Sequence, residues 1–213
     1  DFNAAKSDAM SCAIDPTEQI VVWSYVSNSS TDGKADRLII YNFATQKWSY
    51  AEVAAELLAP FFTAGYTLEG LDNLAANLDA LPAPLDSNLY KGGAFLFGGA
   101  KDNKIFAFTG NPLAATIETG EFFLQQGKHG IINRSVPYFR GGTVTMQIGS
   151  RDRQDDTVTF SDANSLTDEG FVQHRAQGRF HRVRMNITNA TSPTSNWEFA
   201  QGVDVEGQVL GRR

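Results

Sequence analysis

Cys12 is the single cysteine among 213 residues, so the chain can form neither an intrachain disulfide nor a Cys-based zinc site. No apolar run approaches the roughly 18 residues that a membrane-spanning helix needs, so no membrane anchor is expected. The three histidines, His129, His174 and His181, are scattered and include no His-Glu-x-x-His pattern, so no metal cage is expected. A Gly-x-Ser-x-Gly elbow is missing, as is a glycine loop followed by Lys-Ser/Thr, which removes the common serine-hydrolase and phosphate-loop signatures. Positive charge is also in short supply. At a net charge of −6 the chain lacks the basic stripe of an extended DNA-binding surface, but it could still form a wall past which nucleic acid slides. The carboxylate pairs Asp155-Asp156 and Asp168-Glu169 fall in polar loops, where an acid stays solvated and its pKa is not raised for glycoside cleavage. No enzyme activity and no cofactor are expected. The chain starts at Asp1 with neither Met nor leader, and the expectation is a piece of something longer.

What the sequence does contain is β-pattern. Val144, Met146 and Ile148 alternate with polar neighbours, as do Val158 and Phe160, then Val183, Met185 and Ile187, then Val203, Val205 and Val209. Period-two alternation puts one set of side chains on a core and the other toward water, so residues 143–213 read as an antiparallel β-domain. His181 shares a face with Val183 and Met185 and is expected to be a partly buried sheet histidine. Residues 1–142 carry a different grammar. Ile20 to Val26 is apolar on both faces, a polar loop runs to Asp36, and Arg37 to Phe43 and Trp48 to Glu52 follow as strands. A fainter copy runs from Ala94 to Thr109 around a turn at Asp102-Asn103. Strand, loop, strand, tight turn, strand is the pattern of a propeller blade, which makes the expected fold class all-β with propeller-like blades before the β-domain. At roughly 40–45 residues per blade, this stretch supplies about three, so a closed propeller needs further residues.

One helical insertion is expected over residues 67–81. Leu68, Leu71, Leu74, Leu78 and Leu81 recur at helical spacing, Thr67 suits the N-cap, and Pro82 ends the run. Glycine pairs at 92–93, 98–99 and 141–142 read as turns or bulges at strand ends. Trp23, Tyr41 and Trp48 fall in strands and are expected in the core, whereas Trp197, after a polar run, is the candidate exposed aromatic.

Two charge constellations stand out. Arg182 and Arg184 on one strand and Asp204 and Glu206 on another would fix strand pairing if those strands are neighbours. Arg151, Asp152, Arg153, Asp155 and Asp156 sit at a hairpin tip, either as a solvated turn or as a subunit contact in which alternating charge sets register.

Several segments together resemble a family of tailed-bacteriophage virion proteins. They are Ile20-Val-Val-Trp-Ser-Tyr, Leu38-Ile-Ile-Tyr-Asn, Gly65-Tyr-Thr-Leu-Glu-Gly-Leu-Asp72, Leu78-Asp-Ala-Leu-Pro82, Leu85-Asp-Ser87 and Lys91-Gly-Gly93. Further on come Ala115-Thr-Ile-Glu-Thr-Gly-Glu121, Gly149-Ser-Arg-Asp152, Arg175-Ala-Gln-Gly-Arg-Phe-His-Arg182 and Ala200-Gln-Gly-Val-Asp-Val-Glu206. The chain is similar to the C-terminal part of a short-tailed phage nozzle, or tail-hub, protein. That resemblance implies a ring of several copies, usually six, below the head-to-tail adaptor. The ring would contact tail fibre or spike proteins and line the channel through which DNA leaves. It also implies a place in the virion tail, with assembly in the bacterial cytoplasm, and no catalytic residues. The competing class is a propeller whose loops bind host-surface carbohydrate.

Overall fold

The computed structural model describes residues 1–75, 77–188 and 196–211. The chain is all-β, built from antiparallel sheets with two one-turn helices, and it divides into two units, Asp1–Gly110 and Asn111–Arg213. This division falls earlier than the boundary expected after residue 142. Residues 111–142 supply strands that pair inside the second unit, and those hydrogen-bond ladders carry the segment with them.

The first unit opens with a four-stranded meander of β1 (Ser11–Asp15), β2 (Ile20–Tyr25), β3 (Arg37–Asn42) and β4 (Lys47–Ala51), paired in that order. Its turns are set by side chains. Asp15 Oδ1 accepts the backbone N–H of Thr17 at 2.9 Å and of Glu18 at 3.2 Å, and Asn42 Oδ1 accepts those of Ala44 and Thr45. These are Asx turns, in which a short polar side chain takes over the hydrogen bonds of a bending backbone. The second meander is β5 (Leu57–Phe62), β6 (Phe95–Lys101) and β7 (Lys104–Ala107). Asp102 and Asn103 both adopt positive φ, 49° and 59°, as a tight two-residue hairpin requires. β1 runs beside β5, where the Leu58 N–H donates to Ser11 Oγ at 3.0 Å. Ala13, Val22 and Leu38 of the first sheet meet Leu58 and Phe97 of the second in one core.

Gly98 and Gly99 lie in the middle of β6, not at a strand end. A Cβ on Gly98 would sit 2.1 Å from the Phe106 carbonyl oxygen, and one on Gly99 2.3 Å from that of Leu57. Glycine is therefore required here by the close approach of both neighbouring strands. The pairs at 92–93 and 141–142 do have positive φ and make turns.

The insertion between β5 and β6 contains α1 (Leu68–Leu71), a 3-10 turn at Leu78–Ala80, and α2 (Asn88–Lys91). Thr67 caps α1 as expected, accepting the Gly70 N–H at 3.1 Å. The helix nevertheless ends after one turn. Gly70, Asp72, Asn73 and Asn77 are weak helix formers, and the apolar spacing does not overcome them. Leu71 is buried and Leu74 is exposed, so the leucine series does not form one buried stripe.

The second unit joins two sheets. One runs β11 (Thr159–Phe160), β10 (Thr143–Arg151), β14 (Phe180–Thr188), β8 (Ala115–Glu118), with β12 (Asn164–Ser165) also on β10. The other runs β13 (Val172–Gly178), β9 (His129–Arg140), β15 (Phe199–Gly211). Val144, Met146, Ile148, Val183, Met185 and Ile187 face inward as their alternation predicts, and meet Ile132, Val172 and Ala176 from the second sheet. The expected strand around Val158 shrinks to two residues, Thr159 and Phe160.

Candidate interaction surface

In the β1–β4 sheet one face carries Val22 and Leu38 into the core. Register fixes what lies on the other. Trp23 stands opposite Cys12 and Ile39, while Tyr41 stands opposite Val21 and Trp48, and Ile39 opposite Tyr50. The outward face is therefore a continuous set of aliphatic and aromatic side chains. Trp48 is 64% exposed, Tyr50 68% and Ile14 55%. The Trp48 ring stacks on Trp23 (centroids 5.7 Å apart, planes at 26°) and lies 4.5 Å from Tyr41. This corrects the expectation that Trp23, Tyr41 and Trp48 are core: alternation groups Trp48 with Tyr50, but the register through Tyr41 puts all of them on the side away from Leu58 and Phe97, with Trp23 and Tyr41 only half-buried. The sequence signal was the run from Ile20 to Tyr25, apolar at both parities. A strand apolar on both faces is made to be covered on both.

The second sheet repeats the property. Leu57, Ala100 and Ile105 form one cross-strand row on the face opposite Leu58, and Leu57 and Ile105 are 54% and 75% exposed. Exposed apolar patches of this kind mark surfaces that meet a partner.

Trp197 is the opposite case. It is half-buried against the core of the second unit, and its indole Nε1 donates to the Leu113 carbonyl at 2.7 Å. It is not the exposed aromatic.

The charge groups of the second unit also pair differently from the expectation. β14 and β15 lie in different sheets, so Arg182 and Arg184 never face Asp204 and Glu206. Glu118 instead accepts from Arg182 Nη1 at 3.3 Å and from Arg184 Nη2 at 3.0 Å, across the β8–β14 pair. The Arg184 guanidinium also lies 3.6 Å over the Phe160 ring. Asp204 accepts the Tyr138 hydroxyl at 2.6 Å, which holds that phenol above its ordinary pKa, and Glu206 lies 3.7 Å from Arg134.

At the hairpin tip, Arg151 forks onto Glu121 with distances of 2.7 and 2.8 Å, and it also donates to the carbonyls of Gln154 and Asp156. The Arg151 hydrogen bonds hold the Glu121 carboxyl below the usual range, with burial opposing and Arg182 assisting. Asp156 accepts the Arg153 backbone N–H, and Asp152 lies 3.4 Å from His129. The tip is thus organised partly within itself and partly by Glu121 and His129 from distant segments, with Arg153 and Asp155 left exposed. Glu118 and Glu121 are the partners that sequence reasoning missed.

Two histidines are enclosed in the same unit. Ser135 Oγ lies 2.7 Å from His174 Nε2 and 3.3 Å from Met146 Sδ, and Ser135 is fully buried. Both side chains are buried, and the other ring nitrogen of His174, Nδ1, has no hydrogen-bond partner among the described residues. His181 is 1% exposed, and neither ring nitrogen has a hydrogen-bond partner. Burial pushes both imidazoles below the ordinary histidine pKa; for His181 the Gly178 backbone and the Asp152 charge offset part of this.

No group of three or more His, Cys, Asp or Glu side chains among the described residues is placed to hold a metal ion, and no helix among them is long and apolar enough to cross a membrane. In comparisons with known proteins, no family model matches the chain and no curated protein is significantly similar to it.

Proposed function

We propose that the chain is a structural component of a short-tailed phage tail, one subunit of a ring-shaped nozzle or hub that joins the head-to-tail adaptor to the tail and walls the DNA exit channel. The observation that carries this reading is the unit Asp1–Gly110, whose two sheets are apolar both toward each other and away from each other. Two meanders placed first strand beside first strand suit neighbouring propeller blades, and their outer faces suit further blades on either side. The sequence segments resembling nozzle proteins point the same way. A net charge of −6 suits a channel wall, since a basic wall would bind phosphates and slow DNA. No catalytic role is part of this reading.

The test is the mass of the native particle by light scattering, for this chain and for any longer parent, with and without the adaptor. A closed ring near six copies supports the proposal. A parent that stays monomeric with adaptor present overturns it.

Carbohydrate recognition is the second reading, and the exposure of Trp48 and Tyr50 favours it, because sugars stack on exposed aromatic rings. Against it, the Trp48 ring already stacks on Trp23 and touches the tilted Tyr41 ring, which takes up part of its surface. Binding to host-surface glycans that is lost on Trp48→Ser would put this reading first.

A further inference from the structure

Within the first unit a cleft of about 430 Å³ opens between the inner face of β2 and β3 and the strand β6. Its walls are Ile20, Val22, Leu38 and Ile40 on one side and Phe97 and Phe108 on the other. Phe97 and Phe108 are stacked on each other, 5.5 Å apart at 22°, so that wall is aromatic. The charged residues lining the cleft are Asp15 and Glu18, both acidic, and no lysine or arginine is among its lining residues. Asp15 is buried, and its Oδ1 is held by the Thr17 and Glu18 backbone N–H groups, so its carboxylate is fixed in place. The volume lies in the range of small-molecule sites, which combine apolar walls with a few placed polar groups.

We propose that this cleft binds a compact cation with an aromatic body, of the arylalkyl-ammonium class. The physical reason is desolvation. An apolar or anionic body filling the cleft strips water from the exposed Glu18 carboxylate beside the buried Asp15 and returns nothing, whereas an ammonium head replaces that water with charge-assisted hydrogen bonds. The aryl body gains burial against Ile40 and stacking on the Phe97–Phe108 wall. This site is independent of ring formation and of the outer aromatic face.

The experiment compares phenethylammonium with phenylpropionate, similar in body and opposite in head charge, by methyl NMR of the intact chain. Expected is saturable movement of the Ile20, Val22 and Ile40 methyls with the amine, and binding of the carboxylate at least about five-fold weaker. Glu18→Gln should weaken the amine about two- to five-fold, the range of a solvent-exposed ion pair. Asp15 is left alone because it builds the turn. Ile40→Trp should fill the cleft and abolish binding. Should that variant fail to fold, Thr109→Trp at the exposed rim gives the same readout without touching the core. No methyl shift with the amine, equal or tighter binding of the carboxylate, or unchanged binding in a folded filling variant overturns the proposal.

Discussion

Acidification from about pH 7.5 to about pH 5 should destabilise the second unit through two residues, His174 and His181. Both imidazoles are held below the ordinary histidine pKa by burial, His174 against Ser135 and Met146 and His181 against Phe122, with Asp152 and Gly178 near it. The sign follows from proton counting. Well above about pH 6.5, by roughly a unit or more, both rings are neutral whether the chain is folded or not, and there they contribute nothing to the pH dependence. Below that value the unfolded chain takes up protons that the folded core refuses, so stability is lost as pH falls toward the folded-state values. Each histidine contributes at most about 1.4 kcal/mol per pH unit, so the pair sets a limiting slope of about 2.7 kcal/mol per unit. Carboxylates held low by partners, Glu121 and Asp36, lose their contribution only below about pH 4.5, which leaves the histidine window clear. The assay is urea unfolding followed by Trp197 fluorescence, with Trp23 and Trp48 replaced by Phe so that the second unit alone reports. The double variant His174→Gln, His181→Leu should flatten the slope whatever its absolute stability. A wild-type curve already flat across this window, or a slope unchanged in the double variant, would refute the reasoning.

Three further outcomes are expected. Ile148→Ala, at a fully buried position, removes three carbons worth about 2.4 kcal/mol in transfer and leaves a cavity, for a total of about 2.5–4.5 kcal/mol, whereas Val209→Ala on the exposed β15 should cost under about 1. Urea midpoints at constant slope check both, and similar costs at the two sites would contradict the burial assignment. Trp48→Ser with Tyr50→Ser should leave the first unit folded by circular dichroism but lower the particle mass. Unchanged mass would remove the aromatic face from the assembly contact. A double-mutant cycle between Arg184 and Glu118 should give a coupling of a few tenths of a kcal/mol, and the cycle between Arg184 and Asp204 none. Coupling to Asp204 would mean that β14 and β15 are neighbours after all.

Alternation along β10 and β14 was enough to name the core residues Val144, Met146, Ile148, Val183, Met185 and Ile187 and to place His181 with them, because side-chain parity in a strand is a local property. The Asp102-Asn103 turn was legible for the same reason, since two short polar residues tolerate positive φ without help from elsewhere. Thr67 as a cap was also local, but the length of its helix was not, because the leucine spacing competes with Gly70, Asn73 and Asn77.

Only the tertiary structure decided which strand lies beside which and which side of a sheet is covered. Parity says that Trp48 and Tyr50 share a face; the register through Tyr41 and Val21 shows that the face points away from Phe97. Charge pattern offered Asp204 and Glu206 as partners for Arg182 and Arg184; the ladders gave β14 to β8 and β10, and β15 to β9. Pairing is a contact between residues far apart in sequence, so several strands with the same alternation compete for each edge, and the choice rests on packing and turn geometry that no single segment contains.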